Sequence, residues 1–600
     1  MCGLACIFSY HSDAPPVNRE ELRLIREQMY FRGPNSYGSW ISNDERIGLA
    51  HRRLSILDTS SAGNQPMIDD DNGNRIIYNG EIYNFIEIKS ELETKGYKFK
   101  SRSDTEVLLK LYDLYGDDMV HSLRGMFAFV IWDEKRKGIF AARDHFGIKP
   151  LYFSNDGKTI RFASQVKALL AGKGIRPDAE PAGHVGFLLW GFVPEPFTMY
   201  KNIRSLPAGT SIWIDSHGKK SIKEYFNLVE EYSNGLSLGK SLDPVTSRER
   251  LHSALLDSVQ HHLISDVPVG VFLSAGLDSS AIANLAVETG EKNINTLTLG
   301  FEEFIGTEND EVILAEMTSK HLGTEQKTFR VSRQDFSDHY DDLIQSMDQP
   351  SIDGVNTFFI CKAAKDAGLT VTLSGLGGDE LFGGYSYFKK IPSLMKFSRL
   401  SLGSDLIGKS FRKITSPFFS KIGSPKMAGL FEYGSNYSGA YLLCRSHYMP
   451  WEICDLLGDA FFDEGWSELQ TMQAIKNTHG SLSLDRTAIS AMELQWYMRG
   501  QLLRDSDWAS MAHSIEIRVP FIDINLFREL TLLIGSGFVP NKIDMANSSN
   551  INLPESLLTR PKTGFSIPVH KWLMGKNQDD ESQGKQDLKN WSKIIYKSFN

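Results

Sequence analysis

Cys2 stands directly behind Met1 in MCGLAC, so removal of Met1 would leave a thiol and a free α-amine on one residue. A thiolate is a soft nucleophile, and an α-amine, with a pKa of about 7.7–8.0, can take its proton near neutrality. Two further stretches carry a different chemistry. FLSAGLDSS, residues 272–280, is a run of small residues whose backbone N–H groups can turn inward onto an anion. Ser274, Gly276 and Ser279 shape that turn, and Asp278 offers a hard oxygen to Mg²⁺. The stretch lacks the Gly-Lys-Ser/Thr ending of a Walker A loop, which argues against γ-phosphate transfer. LSGLGGDELFGGY, residues 373–385, repeats the pattern with an acidic pair, Asp379 and Glu380. Two such loops at one sheet edge suit a nucleotide–Mg²⁺ complex.

Loops of this kind need a parallel sheet beneath them. The helical patterns SRERLHSALLDSVQHHL, SSAIANLAVET and EVILAEMTSKHLG alternate with the strand patterns VPVGVFLS, INTLTLGF and LTVTLS. That alternation predicts a doubly wound parallel sheet, followed beyond about residue 385 by mostly helical chain. The first two hundred residues have another texture. RIGLAHRRLSILD, NRIIYNGEIYN and RGMFAFVIWDEKRKGIFAARD read as strands and turns, with FIEIKSELETKG and SDTEVLLKLYDLYG as helices. Six hundred residues exceed what one core organises. The expected division is an α/β domain over residues 2–215, a polar linker EEYSNGLSLGKSLDPVTS, and a second α/β domain over residues 235–600. The basic stretch from Lys389 to Lys426 reads as a solvated helical surface, and WSKIIYKSF as a docked final helix.

The net charge of −9 gives no reason to expect nucleic-acid binding. No apolar run approaches the roughly 20 residues that span a bilayer, and no charged segment followed by an apolar one marks a secretory signal. Five cysteines (Cys2, Cys6, Cys361, Cys444 and Cys454) are scattered without metal-ligand spacing, which fits a reduced, cytoplasmic compartment. Small molecules are therefore the expected partners, with neither nucleic acid nor membrane, and a homodimer stays open.

SDVPVGVFLSAGLDSSAIA and LSGLGGDELFGGY resemble the pyrophosphatase loop and second signature of asparagine synthetases, and SMAHSIEIRVPFID and RPKTGFSIPVHKWL match further segments of that family. The resemblance implies an enzyme that uses ATP to adenylate a carboxylate, aspartate giving asparagine, and lets ammonia displace AMP after pyrophosphate leaves. It implies that Leu273, Leu299, Ser374 and Gly375 contact ATP and that Asp278 and Asp379 hold Mg²⁺. Lys562 would stabilise the charge that develops on phosphate and on the tetrahedral intermediate. The family also carries an N-terminal class II glutaminase, an Ntn-type αββα sandwich. HRRLSILD with Arg53, NGEIYN with Asn79, Gly80 and Glu81, SRSDTEVLL with Asp104, and RDHFGIKPLY match it, so the likeness spans roughly residues 2–575. In such a site Cys2 attacks the glutamine amide with its own amine as base. Asn79 and the Gly80 N–H face the oxyanion, Arg53 grips the α-carboxylate, and Glu81 and Asp104 pair with the α-ammonium.

Three positions depart from the family pattern. Leu376 follows Ser-Gly where asparagine synthetases have Glu, Ala275 replaces the middle glycine of SGGLDSS, and Gln165 replaces a glutamate. A methyl group at 275 is tolerable only if the backbone there needs no positive φ. Two readings of Leu376 stay open. Either another acid, such as Glu380 or Asp348, serves while aspartate remains the acceptor, or the acceptor is a different carboxylate, such as a uronic acid or a natural-product precursor.

Overall fold

Strand Gly3–Ser9 is buried on both faces because each face meets a different layer. Leu4, Cys6 and Phe8 join Ile77, Ala128 and Val130 of a second sheet, while Ala5 and Ile7 pack on Leu22 and Ile25 of helix Arg19–Gln28. The strand lies inside a six-stranded antiparallel sheet, paired with Ile47–Arg53 on one side and Thr159–Ala163 on the other. The second six-stranded sheet runs Lys220–Glu224, Thr210–Ile214, Gly138–Arg143, Gly125–Asp133, Arg75–Ile82, Met67–Ile68. Its outer face is covered by helices Phe85–Thr94 and Asp104–Tyr115, through Ile88, Leu92, Val107 and Leu111. The result is the helix–sheet–sheet–helix sandwich expected from the sequence, with its last strand lying beyond residue 215. This is a computed structural model; it describes residues 2–291, 293–400, 405–421, 425–560, 572 and 581–599.

The C-terminal half holds a five-stranded parallel sheet, in the order Glu325–Val331, Asn295–Phe301, Val269–Phe272, Val371–Leu373, Glu516–Arg518. The chain builds outward from Val269–Phe272 in one direction, then returns beside it with Val371–Leu373. The topological switch point therefore lies between the two strands that precede the small-residue loops, which is where such sheets bind ligands. The final helix, Glu581–Ser598, docks as expected: Trp591 is buried, and the Tyr596 hydroxyl meets His184 Nδ1 at 2.8 Å.

The polar stretch read as a linker is instead a packed helix, Leu228–Gly239, with Asn227 capping its first turn. Its polarity hides a small-residue stripe. Gly235 and Gly239, one turn apart, let the backbone approach helix Ile524–Gly535 so closely that a Cβ on Gly239 would lie 2.1 Å from the Leu532 carbonyl oxygen. Gly239→Val should therefore lower the unfolding free energy by about 1–3 kcal/mol in chemical denaturation. Ser237→Ala, on the exposed side, should leave it unchanged. Equal stability of both variants would contradict the close helix contact.

Candidate active site

Cys2 sits at the head of strand Gly3–Ser9, next to the Gly3–Arg52 pair of the ladder. Its N–H donates to Asn79 Oδ1 at 2.9 Å, and its sulfur lies 3.8 Å from the Leu54 carbonyl oxygen. Burial pushes the thiol above its ordinary pKa, so a nearby base is needed to produce thiolate. With Oδ1 occupied, the Asn79 amide has Nδ2 left, and that atom is buried with no hydrogen-bond partner among the described residues. An unmet buried donor beside a nucleophile is what an oxyanion site requires. Gly80 follows, in a place where a Cβ would meet the Met126 carbonyl oxygen at 2.2 Å, so no other residue fits that strand position.

Arg53 is buried and held by carbonyl oxygens. Its Nη1 donates to Ser60 O at 2.7 Å, and its Nη2 to Leu57 O at 3.1 Å and to Asp58 O. Among the described residues no carboxylate pairs with it, which leaves its charge for an incoming anion. Asp104 opens helix Asp104–Tyr115 behind the N-cap Ser103. It accepts from the Tyr78 hydroxyl at 2.9 Å and the Ile82 N–H at 3.1 Å, and burial raises its pKa to about 6. Glu81 departs from the sequence assignment. It shares a strand face with Asn79, but Arg518 reaches in from the parallel sheet and lies 3.2 Å from Glu81 Oε2. A carboxylate buried this deeply needs a charged partner, and here the chain itself provides one.

The two small-residue loops touch at the switch point. The Ser274 and Ser279 hydroxyls are 2.9 Å apart, and Ser279 Oγ also accepts the Ser274 N–H at 3.0 Å. Helix Leu277–Glu288 begins at Gly276, and Ala275 does not adopt a positive φ, so its methyl group is tolerated. Across the gap, a Cβ on Gly375 would lie 2.8 Å from Ser279 N, and one on Gly378 2.5 Å from Asp278 Oδ1. Leu273 and Leu299 are buried alongside, and the Ser374 N–H is bound by Arg518 O. Asp278 and Asp379 converge on one cation, the Lys542 ammonium, with Asp379 Oδ1 at 2.9 Å. Two carboxylates meeting at one positive charge are the hard oxygen donors that a divalent cation such as Mg²⁺ would take. Lys562 lies outside the described residues. Lys542 was not foreseen, because NKIDMANSS carries no motif.

Leu376 packs against the core. Of the acids considered as its substitute, Asp348 is committed elsewhere, accepting the Val166 and Lys167 N–H groups at 2.9 and 3.0 Å. Glu380 stays beside the loop, bound by the Tyr385 hydroxyl at 2.8 Å, and burial lifts its pKa to about 8.

The two sites are joined by buried charge. Arg32, 1% exposed, donates through Nε to the Cys2 carbonyl oxygen at 3.0 Å and through both Nη atoms to Asp507, at 2.6 and 3.0 Å. Arg518 also binds Glu516 Oε1 at 2.8 Å, and Arg124 pairs bidentately with Asp523. Next to the Cys2 sulfur, Leu54 and Ile56 form an apolar cluster with Val371 and Met511 of the second half.

A family model of glutamine amidotransferase domains matches residues 1–226, and one of asparagine synthase matches residues 250–586. Asparagine synthetase [glutamine-hydrolyzing] 1 of Bacillus subtilis is 33% identical over 616 residues, covering 97% of this chain and 89% of the relative. Asparagine synthetase [glutamine-hydrolyzing] 3 of the same organism is 30% identical, covering 88% and 80%. Asparagine synthetase B [glutamine-hydrolyzing] of Escherichia coli is 31% identical, covering 66% of each.

The Asp104 geometry gives a pH test. Only the ionised carboxylate can hold an ammonium, and burial keeps it protonated below about pH 6. The kcat/KM for glutamine should fall about tenfold per unit below the amine's pKa of about 7.7–8.0 and about a hundredfold per unit below pH 6, where Asp104 also takes up a proton. Asp104→Asn should lower kcat/KM throughout and remove the steepening below pH 6 while leaving the upper limb, and a variant that keeps the steepening would remove Asp104 from the role.

Proposed function

Because this chain belongs to the glutamine-hydrolysing asparagine synthetase family, we propose that it hydrolyses glutamine at Cys2 and passes the ammonia to an ATP-activated carboxylate, aspartate giving asparagine. Residues 2–215 would form the glutaminase and residues 235–600 the synthetase. The observation that carries this reading is Asn79, whose Oδ1 is bound by the Cys2 N–H while its Nδ2 is buried without a partner among the described residues.

Removal of Met1 turns the Cys2 amide into an amine, still within reach of Asn79 Oδ1. That amine takes the thiol proton, sulfur attacks the glutamine amide, and Asn79 Nδ2 with the Gly80 N–H receives the oxyanion. Arg53 and Asp104 hold the two charged ends of the amino acid. The proton returns to the departing ammonia, and water then cleaves the thioester. Ammonia stays a nucleophile only while unprotonated, so the apolar cluster of Leu54, Ile56, Val371 and Met511 supports a dry route between the sites.

In the synthetase half, the loops bearing Leu273, Ser274, Gly276, Ser279, Ser374 and Gly375 receive ATP, with Leu299 beside them. Asp278 and Asp379 would hold Mg²⁺, which supplies charge neutralisation at the phosphates. Lys542, bound to both acids, keeps them from repelling each other when the metal is away. Lys562 takes the stabilising role described for the family. Five free cysteines support a reduced, cytoplasmic setting.

Cys2→Ala should abolish glutamine-dependent synthesis and leave ammonium-dependent synthesis within about twofold, because only the first needs the sulfur. Pyrophosphate should form with aspartate in both. Loss of both activities in a folded variant, or glutamine-dependent turnover that survives the substitution, would refute the proposal.

A further inference from the structure

Residues 386–431 contain nine lysines and arginines and a single acidic residue, Asp405, in a chain whose net charge is −9. They include helices Tyr387–Leu400 and Asp405–Lys421. The inner face of the second helix is anchored to the body. Arg412 Nε binds Glu432 at 2.6 Å, and Phe411 packs edge-on against Phe431 at 4.8 Å. Its outer face is unusual. Ile414 and Phe418, one helical turn apart, are 78% and 63% exposed, and Lys409 and Lys413, also one turn apart, are exposed in a separate row on another flank of the helix. On the first helix Phe397 is 56% exposed next to exposed Lys396.

We propose that this face is a peripheral docking surface for an anionic lipid bilayer. A row of exposed apolar side chains with a row of exposed lysines on another flank of the same helix suits the boundary between headgroups and acyl chains. There the side chains enter the apolar region while flexible ammonium groups reach lipid phosphates. Charge excludes the simplest alternative, because pairing this face with a second copy would press lysines against lysines. Among the described residues no helix is long and apolar enough to cross a membrane, so the contact lies on the surface. The charge run alone suggests only a solvated face; the exposure of Ile414 and Phe418 takes the reading further. The inference does not depend on the catalytic proposal.

Flotation of the full chain with phosphatidylcholine vesicles, with and without phosphatidylglycerol, tests it. The chain should float only with phosphatidylglycerol and should be released by salt. Ile414→Asp with Phe418→Asp, and separately Lys409→Glu with Lys413→Glu, should each weaken flotation about tenfold or more. Ammonium-dependent synthesis should stay unchanged and report an intact fold. Absence of lipid-dependent flotation, wild-type flotation by both variants, or a change in oligomeric mass in the first variant would overturn the proposal.

Discussion

The structure depends on one buried guanidinium. Arg32 holds the carbonyl of Cys2 with Nε and an aspartate of the other half with its two Nη atoms. A charge with 1% exposure survives only with a partner of opposite sign, and removing one member of such a pair costs about 3–5 kcal/mol. The position of Cys2 is therefore tied to the helix that carries Asp507, Arg504–Met511, and through it to the strand Glu516–Arg518 that follows. Glu81, Arg518 and Glu516 form a second buried link of the same kind, and Arg124 with Asp523 a third. Exposed pairs would contribute little to fixing two halves against each other; these are buried, and the Arg32–Asp507 and Arg124–Asp523 pairs are hydrogen-bonded as well.

The two sites use charge in opposite ways. Around Cys2, burial raises the thiol and Asp104 alike, which favours neutral groups until substrate brings its own charges. Arg53 is the standing positive charge, fixed by carbonyl oxygens instead of carboxylates. At the switch point of the parallel sheet, two carboxylates are gathered within reach of one lysine. The lysine there offsets the repulsion of the two acids. Between the two sites lies a short apolar cluster. An uncharged molecule as small as ammonia crosses that kind of boundary more readily than its protonated form.

Much of this was legible in the sequence because the informative features are local. Strand–small-residue-loop–helix order places the two loops at the carboxyl edge of the parallel sheet, where the structure has them, and the position of Cys2 puts its thiol at the head of a buried strand beside Asn79. Alternating strands and helices gave the parallel sheet, although its outermost strands, Glu325–Val331 and Glu516–Arg518, went unnoticed. What escaped depends on distant pairing. Nothing in MYFRGP marks Arg32 as the partner of a residue 475 positions away. Glu81 reads as a substrate ligand beside Asn79 and Gly80 in NGEIYN, and its pairing with Arg518, 437 positions away, is visible only in the packed structure. The helix Leu228–Gly239 was hidden by polar composition, its signal being two glycines spaced four apart. Lys542 could be found only from the fold.

The most direct test is a double-mutant cycle on Arg32→Gln and Asp507→Asn, read as the ratio of glutamine-dependent to ammonium-dependent synthesis. If the ion pair holds the nucleophile in register with the synthetase, each single variant lowers the ratio and the double variant is no worse than the poorer single. The coupling should then be about 1–3 kcal/mol. Strictly additive losses, or singles whose ratio equals that of the parent chain, would contradict the account.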